Sequence, residues 1–199
     1  MLFPTISLAQ GLVVGAAGGL RITDDVPTYG LTNSKRYLIG PKIEAGLPFR
    51  FGVEVDALYS RLGNTMYIPL IANEFTIRTI ANSWLFPVLL KYHLPLTRAR
   101  PFLATGVAPR YASGRIHTIH YGYYPGDVTF SSMQWSAHGV AWTLGGGVEL
   151  HFGRIRLSPE LRYLRWPNPS HPSASGITRY LSVPPNEVHV LLGLGWKMR

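Results

Sequence analysis

The sequence predicts an all-β chain folded as a closed, antiparallel, eight-stranded up-and-down barrel that crosses a membrane. Three observations lead there. Apolar residues recur with period two, not 3.6, over eight segments. Each segment runs about 11–15 residues, where ordinary strands run about 5–6 and a tilted membrane-crossing strand needs about 9–11. The connections alternate between short turns and long polar segments, an asymmetry that a soluble up-and-down barrel has no reason to keep.

The strands are expected at about 11–22, 35–46, 49–62, 83–94, 100–112, 138–152, 154–166 and 187–198. The first sets Leu12, Val14, Ala16 and Leu20 against Gly15, Ala17 and Arg21. The second sets Tyr37, Ile39, Pro41 and Ile43 against Gly40, Lys42 and Glu44. In the third, Phe49, Phe51, Val53, Val55 and Tyr59 alternate with Arg50, Gly52, Glu54 and Asp56. The fourth alternates Trp84, Phe86, Val88, Leu90 and Tyr92 with Lys91 and His93. The fifth carries Leu103, Val107 and Tyr111 against Ala104, Gly106 and Arg110. The sixth has Val140, Trp142, Leu144, Val148, Leu150 and Phe152 against Gly145, Gly147, Glu149 and His151. The seventh has Ile155, Leu157, Leu161 and Tyr163 against Arg156, Glu160 and Arg162. The eighth has Val188, Val190, Leu192, Leu194 and Trp196 against His189, Gly193, Gly195 and Lys197.

Short turns fall around Leu47-Pro48, Pro95–Ala99 and Gly153, and long segments at about 23–34, 63–82, 113–137 and 167–186. Lipid tolerates no open sheet edge, so Gly11–Ile22 and Val188–Met198 are expected to be neighbours. An even strand count puts both termini on the short-turn side, which is periplasmic in a bacterial outer membrane.

The apolar face sorts its aromatics by depth. Tyr37, Tyr59, Trp84, Tyr111 and Tyr163 fall near the long-loop ends, and Phe49, Phe51, Tyr92, Phe152 and Trp196 near the short turns. Two aromatic girdles around an aliphatic belt match the two interfaces of a bilayer. A soluble ligand barrel with its apolar face inward also alternates, but it lacks the long strands, the loop asymmetry and the girdles.

The opposite face interleaves glycine with eight basic and five acidic side chains. Small residues leave room in a narrow lumen, and opposite charges compensate there. Lys42, Glu44, Arg50, Glu54, Asp56, Lys91, Arg110, Glu149, Arg156, Glu160 and Arg162 are expected to form this charge network.

Composition narrows the remaining classes. The 199 residues include 19 Lys plus Arg and 10 Asp plus Glu, a net of +9 on a chain only 15% charged and 46% hydrophobic. Scattered Arg and few Lys argue against nucleic acid. The absence of cysteine removes a disulfide scaffold and thiol chemistry. No apolar run approaches the roughly 20 residues of a spanning helix. Ser7-Leu8-Ala9 is a small-x-small tripeptide, so residues 1–9 read either as the tail of an export signal or as a mature N-terminal segment, with the barrel domain over 10–199.

Several segments resemble the small eight-stranded outer-membrane barrels of the OmpA/OmpX-like and PorT-like "outer membrane protein beta-barrel domain" group. They are Trp84-Leu85-Phe86-Pro87-Val88-Leu89-Leu90-Lys91-Tyr92, Arg100-Pro101-Phe102-Leu103-Ala104-Thr105-Gly106, Ser158-Pro159-Glu160-Leu161-Arg162-Tyr163 and the closing strand Val188–Trp196. The resemblance covers about residues 10–199 and is specific for architecture, not role. The chain departs from many such barrels in running on past Trp196 as Lys197-Met198-Arg199, where they end on an aromatic residue.

The expected role is a non-enzymatic barrel with a plugged polar lumen, structural or surface-interacting through its long loops, monomeric and without cofactor or metal. Two alternatives stand beside it: a lipid A-modifying enzyme, which the resemblance implies, and a small channel. For an enzyme the nearest Ser/His matches are Ser136 with His138 and His171 with Ser173, neither beside an acid in sequence. His117 and His120 read as part of a Tyr/His-rich loop, and Gly145-Gly146-Gly147 as packing inside a strand. Tyr67, Tyr121, Tyr123, Tyr124, Phe130, Met133 and Trp135 either form a binding surface for an unknown extracellular partner or simply extend the hairpins. Arg36, Arg61 and Arg165 at the rim read as contacts to lipopolysaccharide phosphates or as snorkelling side chains, with Arg115 and Arg179 in the loops above.

Overall fold

The computed structural model describes residues 11–23, 31–69, 74–95, 99–122, 127–167 and 184–198. The segment 1–10, with the tripeptide at 7–9, lies outside them. Strand β1 is Leu12–Arg21. Strand β2 comprises Leu31–Thr32 and Tyr37–Gly46. Strand β3 comprises Phe51–Asp56 and Leu58–Pro69, and β4 Glu74–Leu85 and Val88–His93. The rest are β5 (Ala99–Tyr121), β6 (Val128–Phe152), β7 (Ile155–Arg165) and β8 (Asn186–Lys197).

Each strand pairs antiparallel with the next, and β8 pairs back onto β1, with Val14 opposite Trp196, Ala17 opposite Gly193 and Arg21 opposite His189. The ring is therefore closed. Its ladder breaks where prolines remove donors. Asp56 N donates to Pro87 O at 3.1 Å, Ala57 N to Pro41 O at 3.0 Å and Phe86 N to Pro109 O at 2.8 Å. Side-chain alternation runs through these breaks unchanged: Glu54, Asp56 and Leu58 are all buried, as are Leu85, Pro87 and Leu89.

The outer face is apolar and exposed. Leu12, Ile39, Val55, Leu90, Leu103, Leu144, Leu161 and Leu192 are each at least 40% exposed. A folded chain does not leave such a continuous belt in water, and a bilayer core is its natural solvent. Tyr59, Trp84 and Tyr111 occupy one level on three successive strands. The rings of Tyr37 and Tyr59 lie 6.4 Å apart, and those of Tyr59 and Trp84 5.2 Å. At the other end Phe51 and Tyr92 are cross-strand partners 5.2 Å apart, and Ile155 links Phe152 to Trp196. From Tyr92 to Trp84 the strand rises about 26 Å, which at a tilt of about 40° spans roughly 20 Å of height, most of the roughly 25 Å apolar band of an outer-membrane barrel.

The interior is not uniformly polar. Leu38, Leu58, Leu85, Leu164, Trp166 and Leu191 form a buried apolar cluster with Ala17, Ala108 and Ala141, and Leu89 packs with Phe102 and Ala104. Among the described residues, ion pairs thus occupy part of the lumen and hydrocarbon another part.

The sequence reading leaves 63–82 and 113–137 as loops. The structure instead carries β3 to Pro69, starts β4 at Glu74, and extends the β5–β6 hairpin to Tyr121 and Val128. The physical reason is an inversion of phase at the rim. Below it the apolar residues face out, toward lipid. Above it Met66, Ile77 and Ile116 face in and are buried, with Ile68 and Trp135 against them, while Arg78, Arg115 and His117 face out and are exposed. The alternation continues, but on the opposite parity.

Candidate functional site

Two features of the barrel can carry function: the ion-pair plug in the lumen and the four-stranded blade that β3–β6 raise above the rim.

The larger ion-pair group is built from residues facing inward on β2, β3, β4, β6 and β7. Arg162 reaches Asp56 Oδ2 at 2.5 Å and Glu160 Oε1 at 2.5 Å, and also donates to Glu54. Lys42 Nζ lies 2.6 Å from Glu54 Oε2 and 3.5 Å from Ser158 Oγ. Lys91 pairs with Glu54, sits 3.1 Å from Glu44 Oε2, and stacks over the Phe102 ring at 4.1 Å. Arg156 NH1 bridges Glu44 Oε1 at 2.9 Å and Glu149 Oε2 at 3.6 Å. His93 Nε2 meets Glu149 Oε1 at 3.0 Å.

A smaller group lies toward the rim. Arg110 forks onto both carboxylate oxygens of Glu187 at 2.8 and 2.7 Å, and its guanidinium lies 4.3 Å from the centre of the Trp166 ring. His189 Nε2 shares Glu187 Oε2 at 3.0 Å, and Arg21 approaches Glu187 at 4.0 Å.

Ten of the eleven residues taken from sequence as the lumen network thus face the interior, with Arg110 in the smaller group. Arg50 does not. It follows Phe49 in the turn Pro48–Arg50, both with left-handed φ (60° and 68°), and its side chain is exposed. The turn ends the strand before the alternation reaches it. Phe49 belongs to the same turn and is 88% exposed. Glu187, fully buried, is the member that sequence reasoning missed, because it stands at the start of its strand, just after the segment read from sequence as a long connection. Its place two residues before His189 was the available signal.

Glu187 changes the charge balance. Among the described residues the lumen holds six basic groups (Arg21, Lys42, Lys91, Arg110, Arg156, Arg162) and six acids (Glu44, Glu54, Asp56, Glu149, Glu160, Glu187). With the histidines neutral these cancel, so the chain's net of +9 is carried by residues outside this set. Glycine makes room for the plug: a Cβ at Gly147 would lie 2.8 Å from the Phe102 ring, and one at Gly193 would collide with Ser158. Chemically this arrangement sets opposite charges against one another inside the barrel. A small cavity lies beside Gly15, Lys42, Glu44, Glu149, Arg156 and Ser158.

The blade carries the other sequence-selected residues. Arg61 and Arg165 face outward at the rim and Arg36 is exposed just before Tyr37. Arg78 and Arg115 extend this outward basic set: Arg78 pairs across to His117, and Arg115 to Ile80 and Gln134. His117 and His120 point to opposite faces of β5, and His120 stacks on Phe75 at 4.4 Å, so they do not converge on a metal. Ser136 and His138 lie on the outer face of β6, opposite Ser113 and Tyr111, neither of them an acid. Tyr67, Tyr121 and Phe130 are exposed, whereas Trp135 packs on the inner cluster. Tyr123, Tyr124, His171, Ser173 and Arg179 lie outside the described residues.

Among the described residues the β6 edge of the blade has no strand partner. Strand β6 pairs with β5 from Val128 onward but meets β7 only from Trp142. Gly122 N donates to Asp127 O at 2.6 Å, which fixes the ladder phase. Even-numbered residues from Val128 to Val140 therefore aim N–H and C=O away from β5. Among the described residues no strand receives them. Strand β7 stops short because Pro167, Pro169 and Pro172 follow Arg165.

No family model and no curated protein matches the chain. Solved structures similar to it include the N-terminal β-barrel domain of Pseudomonas aeruginosa OprF, at 16% identity and TM-score 0.42, over 95% of this chain and 100% of that one. Ail, the attachment invasion locus protein of Yersinia pestis, solved with the heparin analogue sucrose octasulfate, matches at 11% identity and TM-score 0.46, over 94% and 97% of the two chains. Neisserial surface protein A matches at 14% identity and TM-score 0.37, over 94% and 97%. Identities this low transfer no role.

Proposed function

We propose that this chain is a non-enzymatic barrel of a bacterial outer membrane, with periplasmic termini and a plugged lumen, that presents its outer blade as a docking edge for extended polypeptide. The observation that carries this reading is the edge of β6 from Val128 to Ala141. It is uncharged apart from His138, contains no proline or lysine, and has no β7 partner among the described residues. Natural edges are usually blunted by such residues, and an unblunted edge pairs with another strand. Part of the blade's inner face is packed, by Met66, Ile77 and Ile116 with Ile68 and Trp135 against them.

Amide exchange on the reconstituted protein, with peptides selected from a random display library as probe, tests this reading. Selected peptides should protect the even-numbered amides of 128–140, and Ser132→Pro with Ser136→Pro should abolish their binding while the barrel still migrates as folded. Peptides that bind without protecting any β6 amide would defeat it.

The outward basic set favours a second contact, to the phosphates of lipopolysaccharide. Arg61, Arg78, Arg115 and Arg165 project from the outer face at or above the aromatic level, where bidentate guanidinium pairing with phosphate is favourable. Native mass spectrometry should show lipopolysaccharide retained by the protein and lost after Arg→Gln at all four. Retention that is unchanged in this variant would remove the idea. The enzyme and channel alternatives draw less support: Ser136 and His138 face no acid across the ladder, and ion pairs with packed leucines fill the lumen.

A further inference from the structure

We propose that Glu44, His93 and Glu149, completed by His151, form a site for a zinc-class divalent metal ion at the short-turn end of the lumen. One ligand atom from each of the first three lies within 4.8 Å of the others. Among the described residues this is the one place where three such atoms converge. Their backbones belong to β2, β4 and β6, so no sequence motif announces them.

The donor set suits a borderline ion. Zinc takes imidazole nitrogen and carboxylate oxygen at about 2.0–2.2 Å in tetrahedral sites. Ligand atoms in such a site stand roughly 3.5 Å apart, so a contraction of about 1 Å brings these three into range. His151 stands outside that 4.8 Å set and would swing in to take the fourth position. It lies two residues along β6 from Glu149, with Nε2 3.9 Å from Glu149 Oε2, and that nitrogen is buried without a hydrogen-bond partner. An orphaned imidazole nitrogen beside a Glu-His-Glu cluster is a ligand in search of an acceptor.

Two cations already stand beside these carboxylates. Lys91 has a second partner in Glu54 and can stay there. Arg156 is the one in competition, because its NH1 bridges the same two carboxylates, Glu44 and Glu149. It is held from one end only: its Nε is buried without a partner, and its side chain is 16% exposed at the mouth. Swinging outward, it leaves two carboxylates and a dication, a neutral set. The ion thus replaces an arginine, and the two should bind in opposition.

Cobalt(II) titration of the full chain in detergent micelles, followed by visible absorption and by zinc competition, tests the site. The expected result is one saturable equivalent with the absorption bands of a mixed nitrogen–oxygen site, displaced by zinc. His93→Gln and His151→Gln should each weaken binding at least tenfold. Arg156→Gln should tighten it severalfold, a change of sign that general destabilisation does not produce. Heat-modifiable gel migration establishes that each variant is folded. Absence of saturable binding to the parent protein, binding insensitive to both histidine substitutions, or weaker binding in folded Arg156→Gln would each overturn the proposal.

Discussion

Arg110 and Glu187 meet across 77 residues of chain as a forked ion pair, with both oxygens engaged at 2.8 and 2.7 Å. The guanidinium is capped by Trp166 and the carboxylate is shared with His189. Desolvation makes such a pair costly to break, because the survivor is left charged and buried. Glu187→Gln should therefore cost about 3–5 kcal/mol, read as a lower urea midpoint in micelles. Adding Arg110→Met should return part of that loss, and a double variant no more stable than the single would contradict the pairing.

Arg162 holds Glu54, Asp56 and Glu160 together. Removing its charge leaves five acids against three bases in the larger group. Arg162→Met should destabilise the barrel by about 3–5 kcal/mol, and Arg162→Lys should rescue little, since an ammonium cannot fork onto three carboxylates at once. Folding yield into micelles measures both. Arg162→Lys behaving like the parent would show that charge alone suffices.

Gly193 lies where β8 passes Ser158 and Lys42. A Cβ there would collide with Ser158 Oγ and stand 3.1 Å from Lys42 Nζ. Gly193→Val should cost about 1–3 kcal/mol by overpacking. Gly153, with open space around its Cβ position but φ at 64°, should lose less on substitution by Asn, which tolerates that backbone. Thermal gel-shift midpoints rank the two, and equal losses would mean that the lumen is looser than described.

The lipid-facing half of this fold was legible because lipid imposes one rule at every depth. Leu12, Val88 and Leu192 must be apolar, so period two is unbroken. The blade was not legible because the rule reverses at the rim: Tyr111 faces out as an aromatic, then Arg115 faces out as a charge. A search tuned to one phase reads that reversal as the end of the strand. The plug was legible as a set of inward charges but not as a set of partners. Nothing in sequence ties Lys91 to Glu44 or Arg110 to Glu187, since register and strand tilt decide those contacts. Arg50 illustrates the limit, having the right parity and yet standing in a turn.

Planar-bilayer recording tests whether the plug seals. Ion pairs and packed leucines occupy the interior, and an eight-stranded barrel leaves only room enough for side chains. The parent protein should show no steady conductance. A variant with Lys91→Ala and Phe102→Ala, which opens the stack at 4.1 Å, should show more. Steady channels in the parent protein would refute the sealed lumen.

The blade and barrel should unfold as separate units. Below the rim the ring closes through its own ladders, β8 to β1 included. Above it the blade depends on Met66, Ile77 and Ile116, with Ile68 and Trp135 against them. Ile116→Ala removes the centre of that cluster and should cost about 2–4 kcal/mol locally. The loss should stay local, because no ladder below Tyr111 uses Ile116. Hydrogen exchange should then speed up over 62–81 and 112–137, while the amides of Val88–His93 stay protected. Exchange rising equally in both regions would show one cooperative unit, and the blade would then be a continuation of the barrel wall and not a separate platform.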